Sequence, residues 1–81
     1  MATETKTPEE MNLKEVVENI IIFAKANSAP KVDQLMSHFQ SKVSSTGRAV
    51  LRTTEALVEG NKRFLGKETY DEMLSKIQTY M

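Results

Sequence analysis

Few residues in this chain have both the type and the spacing to do chemistry. The single histidine, His38, has Gln34, Ser37, Ser41 and Lys42 as its neighbours on a helix. A metal needs several converging nitrogen, oxygen or sulfur ligands, and these four do not make a convincing set. Acid or base catalysis by His38 would also need a cleft that a few short helices scarcely form, so a solvated surface histidine is expected. The carboxylates group as Glu9-Glu10, Glu15-Glu18 and Asp71-Glu72, on faces expected to be wet, where they solvate helices rather than share a proton. Ser37, Ser41, Ser44 and Ser45 lack the acid and histidine company of a nucleophile, and Gly47, Gly60 and Gly66 form no phosphate-cradling motif. There is no cysteine, hence no disulfide, thiolate metal site or thiol nucleophile. No catalytic residue, metal, cofactor or small-molecule substrate is expected.

The remaining chemistry is charge. Eleven basic residues balance eleven acidic ones, so no global field attracts nucleic acid or an anionic membrane. The basic residues nevertheless concentrate in the middle, where Lys42, Arg48, Arg52, Lys62, Arg63 and Lys67 face only Glu55 and Glu59. This allows a helix-turn-helix over residues 32–59, with the first helix at Val32 to Phe39, the turn at Gln40 to Ser45 and a recognition helix from Thr46 to Glu59. Arg48 and Arg52 would then reach bases or phosphates, and Lys42, Lys62 and Arg63 would add phosphate contacts. Against it stand the neutral chain, a turn without a central glycine, and the two glutamates on the outward face. DNA binding is the alternative reading rather than the leading one.

The elements that must position these residues are all helical. Leu13, Val16, Val17, Ile20, Phe23 and Ala24 share one face of a first helix. Thr7-Pro8-Glu9-Glu10 reads as its capped start, and Asn12 to Glu15 repeats the same logic one turn later. Met11 and Ile22 point away from that face and are candidates for a second contact surface. Asn27-Ser28-Ala29-Pro30 separates the first helix from the second, because proline disfavours helical geometry in the residue before it.

Beyond Pro30 an apolar row recurs at strict seven-residue spacing, Met36, Val43, Val50, Leu57 and Phe64. With Leu51, Val58 and Leu65 it forms a stripe wide enough for a bundle helix rather than a zipper seam. Ser44-Ser45-Thr46-Gly47 could interrupt it, and so could Gly60-Asn61. The apolar phase is kept across the first site, which favours one long middle helix. A last helix carries Tyr70, Met73, Leu74, Ile77, Tyr80 and Met81 on one face.

The expected object is an all-α chain with a flexible tail at 1–7 and a single helical domain at 8–81. Its helices run roughly 8 to 27, 30 to 60 or 65, and 67 to 81, giving a small three-helix bundle, or four if the middle helix breaks. Such a middle helix would be more than about 45 Å long, beyond what its neighbours can cover, and a second copy of the chain is the natural cover. The leading expectation is a non-enzymatic interaction module, an adaptor, inhibitor or regulatory protein that forms a homodimer. Its contacts would come from Val43, Val50, Leu57 and Phe64, with Met11 and Ile22. The longest apolar run, Ile20 to Ala24, is far short of the roughly 20 residues of a membrane span, and the first residues carry no signal-peptide pattern. Cytoplasmic residence is the expectation.

Overall fold

The computed structural model describes residues 10–81, so the tail and the Thr7-Pro8 helix start lie outside the described residues. Among the described residues there are five helices and no strand: α1 (Leu13–Lys25), α2 (Ala29–Val43), α3 (Arg48–Gly60), α4 (Lys62–Leu65) and α5 (Lys67–Thr79). Helix α1 lies against α2, α3 and α4, while α5 covers α3 and α4 and touches α2.

Helix α1 begins at the later of the two sequence signals. The Glu15 backbone N–H donates to Asn12 Oδ1 at 2.8 Å, and the Asn12 N–H donates to Glu15 Oε1 at 3.0 Å. This reciprocal box satisfies two donors that the first turn leaves unpaired. At the other end Asn27 takes a left-handed φ of 57°, and the N–H groups of Asn27 and Ser28 donate to the carbonyls of Ala24 and Phe23. That is a Schellman closure with asparagine in the position usually held by glycine. Because three helices surround α1, its buried face is wider than the sequence stripe. Ile21 joins Leu13, Val16, Val17 and Ile20 in the core, whereas Phe23 and Ala24 are half-buried.

The long middle helix expected from the heptad row is not there; three helices occupy its span. The Lys42 carbonyl accepts from Thr46 Oγ1 at 2.7 Å, Ser45 Oγ at 3.2 Å and the Ser45 N–H at 3.1 Å. Short hydroxylated side chains thus offer the backbone an alternative to the next helical turn, and Gly47 follows in extended geometry with ψ 156°. The longest dimension of the molecule is 37 Å, shorter than a continuous helix over residues 30–60 would be.

The break also rotates the core-facing row by one residue. In α2 the buried residues include Met36 and Val43, but in α3 and α4 they are Leu51, Val58 and Leu65, while Val50 and Leu57 are only half-buried. Thr54 is fully buried in the same α3 stripe, and its hydroxyl donates to the Val50 carbonyl at 2.7 Å, which makes its burial tolerable. Asn61 Nδ2 donates to the Leu57 carbonyl at 2.9 Å and helps close α3. Gly66, with φ 83° and ψ 159°, then swings the chain into α5 through a region open essentially to glycine alone. From α5, Met73 and Ile77 enter the core, Tyr70 and Leu74 are half-buried, and Tyr80 and Met81 are exposed.

Candidate interaction surface

The six residues expected at an interface separate into three groups. Val43 is 1% exposed and belongs to the core, so it is unavailable to a partner; with the helix broken, α2 folds it against the rest of the domain. Val50, Leu57 and Met11 are half-buried and pack against that core, and the Met11 sulfur accepts from Asn19 Nδ2 at 3.7 Å. Ile22 and Phe64 remain, exposed by 58% and 44%. Large apolar side chains left in water are ordinary when scattered singly and informative when grouped.

These two are joined by a third residue. Lys25 lies one turn beyond Ile22 on α1, and its ammonium sits 4.6 Å from the centroid of the Phe64 ring. The adjoining α1 and α4 thus present Ile22, Lys25 and Phe64 around one corner of the bundle. Two further lysines cover aromatic rings nearby in the chain: Lys31 lies 5.6 Å from the Phe23 ring and Lys62 lies 5.1 Å from that of Tyr70. A cation over a ring face is held by the ring quadrupole without needing a carboxylate. Sequence reasoning missed Lys25, because the pairing joins residues far apart in the chain. The only local signal was its i,i+3 relation to Ile22, which puts both on one helix face.

The basic residues assigned to a nucleic-acid face are not gathered into one. Arg48 and Arg52 are exposed, one turn apart, on the first half of α3. Lys62 and Arg63 lie after its end, where they line a concavity with Lys67, Glu59 and Asp71. Lys42 is half-buried and already engaged. The link between α2 and α3 spans residues 44–47, later than the expected turn, and each of the two helices packs on α1 rather than along the other. Glu55, half-buried, accepts from Gln78 Nε2 at 3.3 Å.

His38 is half-buried on α2. No group of three or more histidine, cysteine or acidic residues able to hold a metal occurs among the described residues, and none of their buried side-chain polar atoms lacks a partner. No helix among them is long and apolar enough to cross a membrane. Compared with known proteins, the chain matches no protein-family model, no curated protein and no solved structure.

Proposed function

We propose that this protein is a non-enzymatic helical interaction module, an adaptor, inhibitor or regulatory protein of the cytoplasm, acting through contacts with another protein. The observation that carries the reading is the Ile22, Lys25 and Phe64 corner: two exposed hydrophobic side chains on adjoining helices, with Lys25 one turn beyond Ile22 on α1 and its ammonium over the Phe64 ring. A few large side chains that become buried on association supply most of the energy of protein interfaces, and Phe64 and Ile22 are exposed and available for such burial. Self-association through one long middle helix is no longer part of the reading, since α2 ends at Val43 and, of the seam that required a second copy, Val43 lies in the core and Val50 and Leu57 are half-buried against it.

Selection from a display library of random 16-residue peptides tests it. Peptides that bind the protein and lose binding on Phe64→Ser are expected. A library yielding no Phe64-dependent binder would overturn the proposal.

DNA binding stays as a second reading because α2 does end before Gly47 and Arg48 and Arg52 are exposed without ion pairs among the described residues. It requires salt-dependent binding to duplex DNA that is abolished when both arginines become alanine.

A further inference from the structure

The chain keeps its apolar phase across the break that separates α2 from α3. On a single straight helix at about 100° per residue, the buried residues of α2 and α3 fall within about 160°, from Leu35 at one edge to Leu51 at the other. The two helices are thus phased as one, although residues 44–47 part them. That link lies close to helical geometry. Ser44 has φ −73° and ψ −19°, and Gly47 has a helical φ of −67°, with only its ψ of 156° extended. The Ser45 and Thr46 N–H groups already donate to the Lys42 and Val43 carbonyls at 3.1 and 3.4 Å, one residue short of α-helical spacing. The α1–α2 link is fixed by left-handed Asn27 and by Pro30, and the α4–α5 link by Gly66 at φ 83°, but residues 44–47 contain neither a proline nor a positive φ.

We infer that two copies of this chain exchange halves. Residues 44–47 become helical, α2 and α3 fuse into one helix of about 48 Å at about 1.5 Å per residue, and α1 and α2 of each copy pack against α3, α4 and α5 of the other. The exchange sacrifices little. Helices α2 and α3 each pack on α1 rather than along one another, so straightening the link pulls apart no interface between them, and the α1–α3, α1–α4 and α2–α5 contacts re-form between chains. What holds the closed form at the link is local: Ser45 Oγ and Thr46 Oγ1 donate to the Lys42 carbonyl at 3.2 and 2.7 Å. Against them stand the helical hydrogen bonds gained across residues 44–47. Exchange of an identical element is a low-cost route to a symmetric dimer, and short hinge links invite it. Such a dimer needs no uncovered seam on the closed domain, because its contacts are those the domain already makes. Nor does it depend on the interaction reading above: the corner is rebuilt with Lys25 from one chain and Phe64 from the other.

The test refolds the full chain from urea at micromolar and millimolar concentration and separates monomer from dimer by size-exclusion chromatography with light scattering. The wild type should yield a dimer whose share rises with the concentration at which it refolds. Gly47→Ala should raise the dimerisation constant roughly twenty-fold, because alanine gains about a factor of five in helix propensity over glycine at each of the two hinges. Its methyl group meets no atom in the closed form. Insertion of two glycines between Thr46 and Gly47 should abolish the dimer and leave a monomer with unchanged circular dichroism, because a longer link closes easily and the apolar phase is lost. In a mixed dimer of isotope-labelled and unlabelled chains, nuclear Overhauser effects between the Lys25 side chain and the Phe64 ring should connect one chain to the other. Monomers alone at millimolar concentration, from both the wild type and Gly47→Ala, would overturn the inference, as would a dimerisation constant unmoved by Gly47→Ala. So would a dimer that survives the glycine insertion, or one whose Lys25 to Phe64 effects stay within a chain, since either marks a surface contact between closed domains.

Discussion

The Lys25 ammonium sits 4.6 Å from the centroid of the Phe64 ring, tying the last turn of α1 to the single turn of α4. Residues almost forty positions apart in sequence thus share one patch. The lysine also lies where a helix dipole favours a cation. It therefore stabilises the corner twice, through the ring and through the carbonyl end of α1.

Lys25→Met keeps most of the side-chain length and removes the charge. It should cost about 0.5–1 kcal/mol, the usual worth of an exposed cation–π contact. Thermal unfolding of Lys25→Met, Phe64→Leu and the double variant checks this. The two single losses should be non-additive, because both remove the same contact.

The rotation of the core row across the Ser44 to Gly47 turn gives a paired prediction. Leu51 is 1% exposed and Leu57 is half-buried. Leu51→Ala should cost about 2–5 kcal/mol, and Leu57→Ala distinctly less. Urea unfolding of the two variants measures the difference, and equal losses would show that the row runs in register through α3.

Glycine positions divide by backbone geometry. Gly66→Ala should destabilise by about 1–3 kcal/mol, because its φ of 83° suits no L side chain although a methyl group would meet no atom there. A methyl group at Gly60 also meets no atom, and that residue sits in the last turn of α3 at an ordinary φ. Gly60→Ala should stabilise by about 0.4–1 kcal/mol. Melting temperatures that move in opposite directions would bear this out.

Asn12→Ala removes the side chain that closes the α1 capping box. A loss of about 1 kcal/mol is expected, measured by thermal unfolding. Glu15→Ala removes the reciprocal half and should have a smaller effect.

The helical class was legible in the sequence because apolar spacing near 100° per residue survives in every segment. So were the α1–α2 turn and the core faces of α1 and α2; Asn12 was legible only as the later of two starts, and of the face expected on α5 only Met73 and Ile77 are buried while Tyr80 and Met81 are exposed. The break after Val43 was harder to read. Equal spacing of Met36, Val43, Val50, Leu57 and Phe64 suggested continuity, yet Leu51, Val58 and Leu65 have the same spacing one residue on, and periodicity alone cannot choose between two parallel rows. The choice was made by the Ser45 and Thr46 hydroxyls on the Lys42 carbonyl. Of the interaction corner, Ile22 and Phe64 stood out singly as apolar residues. Their connection through Lys25 depends on how α1 and α4 pack, which no local pattern encodes.

The most direct measurement is a nitrogen-15 chemical-shift titration of the labelled protein with the tightest Phe64-dependent peptide. The largest shifts should fall at residues 22–28 and 62–66, around Ile22, Lys25 and Phe64, with α3 residues 48–53 little changed. Shifts centred on Arg48 and Arg52 instead, with the Phe64 corner undisturbed, would contradict the placement of the interaction surface.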